Sequence, residues 1–149
     1  MDAQADMRIV PPAVYIKDTG TPKGRGVFAG RAFVQGEVVE SCPVIPYDPL
    51  PDRRLPQEIR RIVFGWGAFL GLQRRRPAIV LGYGSIYNHN NPASLRVEAD
   101  GANRILRLVA VRDIGADEEL TINYNSLGNG VSSDNTWFKT NGVNLIADS

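Results

Sequence analysis

The chain has 149 residues, 43% of them hydrophobic and 22% charged, with a formal net charge of +1. A chain of that length folds as one domain around a core that needs no cross-links, and this composition excludes disorder throughout. The near-neutral balance excludes a strong electrostatic preference of the chain as a whole, while leaving local patches open. Cys42 is the only cysteine, which excludes an intramolecular disulfide and points to a reducing, intracellular compartment, with the cytoplasm as the expectation. With a single histidine, His89, the chain has too few nitrogen and sulfur ligands for a structural zinc site, and no metal is expected. No basic segment followed by an apolar run suggests a secretory signal, and no apolar run reaches membrane-spanning length.

Residues 1–12, ending in Pro11-Pro12, are expected to form a flexible arm. "AVYIK" alternates weakly and predicts a short strand, and "DTGTPKGRG" is loop. "VFAGRAFVQGEVVE" holds two β-rich pieces punctuated by Gly30 and by Gln35-Gly36. The four prolines of "CPVIPYDPLP" require an extended or irregular path. Leu55, Ile59, Ile62, Val63 and Trp66 recur at helical spacing and predict a helix over about 52–67, with Asp52 as its cap, Pro56 in its first turn and Gly65 and Gly67 ending it. "PAIVLG" has the character of a buried strand. "SLRVEADGANRILRLVAV" is a hairpin turning near Asp100-Gly101. "RDIGADEE" is a turn, "LTINY" a last short strand, and 126–149 a polar tail that includes Trp137-Phe138. Many short strands, frequent glycine and proline turns and one helical insertion make a mostly-β domain over about 13–125.

Three segments carry the chemistry: "KGRGVFA" (Lys23–Ala29), "YNHN" (Tyr87–Asn90) and "EELTINY" (Glu118–Tyr124). Each alone has a plain structural explanation. Gly24 and Gly26 suit a tight turn, Asn88-His89 suits turn chemistry, and Tyr124 suits a strand end with its hydroxyl in water. Their order and spacing are more specific. They resemble the SET-domain family of protein-lysine methyltransferases, in which a G-x-G, an N-H after an apolar strand and an E-L-T-x-x-Y follow one another. The resemblance runs from about Tyr15 to Tyr124. It is nearest to the compact bacterial and viral members, through "GYGSIYNH", and the zinc-binding cysteines that flank many nuclear members are absent.

That resemblance implies a β-clip-like fold of several small sheets with a pseudoknot, in which "ELTINY" passes under the loop after "NH" and the two stretches form one site. It also implies S-adenosylmethionine as cofactor and a narrow channel that admits a substrate lysine from the opposite face. Glycine lets the backbone at Gly24-Arg25-Gly26 approach the methionine moiety, with Lys23 or Arg25 near its carboxylate or the adenosine. The Asn88 side chain can accept from the cofactor's ammonium and tie down backbone. The His89 backbone is the family's adenine contact, its imidazole holding the loop rather than acting as a base. Trp137 and Phe138 are candidates for a lid over the adenine or the lysine channel, the alternative being a tail docked on the core. Tyr83 and Tyr87 are candidate channel walls.

Tyr124 is the candidate catalytic residue. Methyl transfer from a sulfonium to an amine is an in-line displacement that needs alignment and a neutral nucleophile. Free lysine has a pKa of about 10.4, so it must first lose a proton. A dry channel beside a positive sulfonium promotes that loss by desolvation and like-charge repulsion. A tyrosine hydroxyl at the channel end can orient the amine, while backbone carbonyls polarise the methyl group and the proton leaves through water.

The sequence also departs from the family pattern. Ser41 or Cys42 stands where many members have Y-x-G. Ile62 stands where compact members carry a tyrosine, Asn90 replaces the serine of N-H-S, and Asn123 replaces an aspartate. Two competing expectations follow. One is a SET-like binding module without turnover. The other is a nucleic-acid surface formed by Arg53-Arg54, Arg60-Arg61 and Arg74-Arg75-Arg76, against which stands a solvated helix face plus a basic loop. The partner implied by the resemblance is a protein or peptide with an accessible lysine, and a homodimer is left open by compact relatives that pair.

Overall fold

The computed structural model describes residues 8–49, 55–73 and 76–124. Among the described residues eight strands and two single-turn helices follow one another. They are β1 (Val14–Asp18), β2 (Arg25–Ala29), β3 (Val38–Pro46), α1 (Gln57–Arg60), α2 (Trp66–Phe69), β4 (Ala78–Val80), β5 (Asn88–His89), β6 (Leu95–Asp100), β7 (Ile105–Ala110) and β8 (Glu119–Ile122). They make two four-stranded sheets, in the orders β1-β2-β8-β5 and β4-β3-β7-β6.

The second sheet follows local rules. β6 and β7 pair antiparallel from Leu95↔Ala110 to Asp100↔Ile105, and the Asp100 carboxylate closes the turn by accepting from the backbone and side-chain nitrogens of Asn103. β7 lies between two strands, and five of its six residues are buried. The prolines of β3 keep Cys42–Pro46 extended, and this end of the strand pairs with β4. Between Val38 and Glu40 the register with β7 shifts, so that Val39 and Glu40, adjacent in sequence, are both buried.

The first sheet is assembled from distant segments. β8 is antiparallel to β2 through Val27↔Leu120 and parallel to β5 through Asn88↔Thr121 and His89↔Ile122. The loop after β5 then closes over β8. The Asn90 N–H donates to the Ile122 carbonyl at 3.1 Å. The Ser94 N–H donates to Thr121 Oγ1 at 3.2 Å, and the Thr121 N–H returns the bond to Ser94 Oγ at 3.0 Å. β8 is thus held between β2 on one side and β5 with its following loop on the other. One core joins the sheets: Val27, Leu120 and Ile122 from the first pack with Cys42, Leu106 and Leu108 from the second.

The helical insertion differs from the expectation of one helix over 52–67. Two single turns form instead. Phe64 leaves the helical path to pair with Ala78, its N–H and carbonyl bonding across at 2.9 and 3.0 Å. Gly65 at φ −79°, ψ 67° then starts α2, and Trp66 is buried in the core. Gly67 does not end a helix; it lies within α2, its N–H donating to the Arg76 carbonyl. Pro56 stands at the start of α1, and Asp52, expected as the cap, lies outside the described residues. Among the described residues no helix is long and apolar enough to cross a membrane.

Candidate functional site

The Asn88 side chain draws the three motifs together. Its Nδ2 donates to the Arg25 carbonyl and to Glu119 Oε1, both at 3.0 Å. A Cβ at Gly26 would stand 2.6 Å from Glu119 Oε1 and 3.0 Å from Asn88 Nδ2, so only glycine leaves room for this cluster. With both amide hydrogens engaged, Asn88 Oδ1 accepts from no described residue. Gly24 has φ +74°, and no described residue comes within 4 Å of where its Cβ would be. Lys23 Nζ donates to the His89 carbonyl at 3.1 Å, which places the lysine on the backbone of β5.

His89 and Tyr124 meet across the crossing. The Tyr124 N–H donates to His89 Nδ1 at 3.3 Å, and the two rings lie 5.4 Å apart, tilted by 53°. The imidazole therefore pins the chain as it leaves β8. The Tyr124 hydroxyl donates to the Tyr87 carbonyl at 2.8 Å. Burial, with a smaller contribution from the Glu119 charge, pushes the Tyr124 phenol up to about 12, so it stays a protonated donor at neutral pH. Tyr87 is buried, and its hydroxyl donates to Glu40 Oε1 at 2.6 Å. Burial first, and the Glu40 charge second, push the Tyr87 phenol well above the usual tyrosine range.

A cleft enclosing about 540 Å³, part of it open to solvent, lies over Tyr87 and Tyr124. Ile62, Val63, Phe64 and Phe69 of the insertion form one wall, with Val97 and Ile122 from β6 and β8 facing it. Arg61 is the one charged residue lining it among the described residues. Lys23, Gly24, Arg25, Gly26, Asn88 and His89 do not line the cleft. Tyr124 belongs to both places, with its ring on His89 and its side chain in the cleft lining.

Not every sequence-derived candidate is found there. Tyr83 is not among the residues lining the cleft. Its N–H donates to Glu40 Oε2 at 2.9 Å and its side chain packs half-buried against the core. Trp137 and Phe138 lie outside the described residues, as does the tail considered as a lid. Two acidic residues escaped the sequence reading, Glu119 and Glu40. Glu119 looks like an ordinary strand-end charge until Asn88 arrives from 31 residues away. The only cue to Glu40 was its place in "EVVESC", where simple alternation does not predict two consecutive buried positions. Among the described residues no cluster of His, Cys, Asp and Glu could hold a metal ion.

Comparison with known proteins bears on family and fold. The SET-domain family model matches residues 24–125. The "Histone-lysine N-methyltransferase, H3 lysine-37 specific" of Schizosaccharomyces pombe is 25% identical over 133 residues, covering 88% of this chain and 80% of that protein. Among solved structures, a Plasmodium falciparum protein assigned as a histone methyltransferase aligns with a TM-score of 0.57 at 22% identity, over 76% of this chain and 97% of its own. CpSET8 from Cryptosporidium aligns at 0.53 and 20% identity, over 77% of this chain and 58% of its own. At such identities the structures speak for the fold. The family match adds the rest, because it spans more than half of the 149 residues and contains the glycine turn, the Asn88–His89 strand and Tyr124 together: the chain belongs to the SET-domain family of protein-lysine N-methyltransferases.

Proposed function

We propose that the protein transfers methyl groups from S-adenosylmethionine to a lysine side chain of a protein substrate. The single observation that carries this reading is the meeting of Tyr124 with both His89 and the Tyr87 carbonyl at the edge of an apolar cleft.

The residues present fit such a cofactor. No described residue crowds the backbone at Gly24, which allows close approach, and Asn88 Oδ1, which accepts from no described residue, suits an ammonium group. Lys23 is a cation within reach of the same strand, suited to a carboxylate. When bound, the cofactor supplies an electrophilic methyl group on a sulfonium. The chain's own part is to receive the lysine, strip it of water and aim it. The apolar walls disfavour the charged ammonium, and the fixed positive charge of Arg61 at the lining acts in the same direction. Tyr124 keeps its proton, which it donates to the Tyr87 carbonyl, so its hydroxyl oxygen can hold the amine by accepting from an N–H. No carboxylate lines the cleft among the described residues, so the proton of the lysine leaves to water rather than to a protein base. Alignment of this kind supplies several kcal/mol of the barrier lowering.

The test is incubation of the full chain with methyl-labelled S-adenosylmethionine and a mixed protein lysate, followed by mass spectrometry of labelled proteins. Label on lysine of a lysate protein is the expected result. Cofactor binding by calorimetry with no label transferred to any lysate protein would instead favour a binding module, in line with Ile62 standing in the cleft wall where compact relatives carry a tyrosine.

A further inference from the structure

We infer that Glu40 is a positioning residue for methyl transfer, acting through Tyr87 to fix the carbonyl on which the Tyr124 hydroxyl rests. The inference rests on the methylation reading above and adds a residue from β3, a strand outside the three motifs.

Glu40 is 4% exposed, turned inward by the register shift in β3. Among the described residues no lysine, arginine or histidine pairs with it. Its two oxygens are instead given to the turn that leads into β5. Oε1 accepts from the Tyr87 hydroxyl at 2.6 Å, and Oε2 accepts from the Tyr83 N–H at 2.9 Å. The same turn is drawn so close that a Cβ at Gly82, where φ is +65°, would lie 2.5 Å from Oε2. Burying a carboxylate without a countercharge is expensive, and an apolar pair of similar volume would fill the space at lower cost.

What the carboxylate adds is a fixed place for Tyr87. That residue is held at both ends, by its hydroxyl on Glu40 and by its carbonyl under the Tyr124 hydroxyl at 2.8 Å. β3, the turn and the end of β8 are thereby joined in one hydrogen-bonded chain that ends at the cleft. Loss of the Glu40 anchor frees the Tyr87 ring to shift, and the carbonyl that aims Tyr124 shifts with it. Misplacement of an aligning group by about 1 Å costs up to a hundredfold in rate.

The experiment compares the full-length wild type with Glu40→Gln, Tyr87→Phe and the double variant. Methyl-labelled S-adenosylmethionine and a saturating mixed lysate are the probes. The maximal labelling rate and the half-saturating cofactor concentration are read separately, with far-ultraviolet circular dichroism reporting the fold. Each single variant is expected to lower the maximal rate by roughly ten- to a hundredfold while the half-saturating concentration stays within about twofold. The double variant should be no slower than the slower single, because both act on one chain of contacts. Should Glu40→Gln fail to fold, Tyr87→Phe, which removes one oxygen, carries the same prediction alone. Folded variants labelling at the wild-type rate would overturn the inference and leave the methylation reading intact. Multiplying effects in the double variant, or a rate falling in step with the folded fraction, would also overturn it, as a structural role alone. A wild type that binds cofactor yet labels nothing would remove the methylation reading and the inference with it.

Discussion

At the scale of single residues, two groups are asked to do different work. In the proposed reaction Tyr124 aligns the amine, and its hydroxyl is the part that does so. Tyr124→Phe keeps the ring on His89 and removes the bond to the Tyr87 carbonyl. The labelling rate with a lysate is expected to fall at least about tenfold, with stability reduced by about 1 kcal/mol in a urea titration. Tyr124 also makes stability depend on alkaline pH. Its folded pKa of about 12 lies above the ordinary 10, so between those values the unfolded chain has given up a proton that the folded chain keeps. Tyr87 is shifted in the same direction. The contribution is complete below pH 10 and is lost as pH rises through 12, so urea midpoints should fall across that window. A flat profile would show that neither phenol is held neutral by the fold. Gly26 works by being small. Gly26→Ala would push Glu119 off Asn88, since the carboxylate is the movable partner, and calorimetry should show weaker S-adenosylmethionine binding by about tenfold with a smaller loss of stability.

At the scale of elements, β8 is the piece on which the site depends. It is four residues long, and short strands of that kind gain little from their own propensity. Its place is set by partners on both edges and by the loop closing over it. The reciprocal Ser94–Thr121 pair is buried, so Ser94→Ala leaves the Thr121 N–H without its acceptor. A loss of about 1–3 kcal/mol is expected in denaturant unfolding, with faster amide exchange at Thr121 and Tyr124 than in the β6–β7 hairpin. Equal exchange throughout would mean that the closing loop does not hold the strand. The insertion shows the opposite case, where local pattern is overruled. Ile59, Ile62, Val63 and Trp66 have helical spacing, yet the backbone bonds between Phe64 and Ala78 divide the segment and give the cleft its apolar wall.

At the scale of the molecule, both sheets share one core, and Cys42 lies within it fully covered. Burial, reinforced by the Glu40 charge, pushes its thiol above the usual range. Alkylation at pH 8 should therefore wait on global opening, with a rate that follows the unfolded fraction as urea is added. Rapid alkylation in buffer would show that β3 opens by itself. How much of this architecture the sequence revealed depends on how local each feature is. The β6–β7 hairpin was readable because alternation and the Asp100-Gly101 turn are properties of neighbours along the chain. The burial of Glu40 was not, because a bulge moves a side chain across the sheet without marking the composition.

The sequence by itself determined the β6–β7 hairpin, most of the other short strands and the residue types at three motifs, though not the strand at Asn88–His89 or the divided insertion, and the order of the motifs was enough to mark the family. Only the tertiary structure decided that Asn88 reaches Arg25 across 63 residues and Glu119 across 31, that His89 receives the Tyr124 backbone, and that Glu40 accepts from the Tyr87 hydroxyl. The reason is physical. Backbone dihedral preferences and side-chain periodicity act over a few residues, whereas strand register, bulges and the pairing of buried polar groups are settled only when distant segments compete for the same partners.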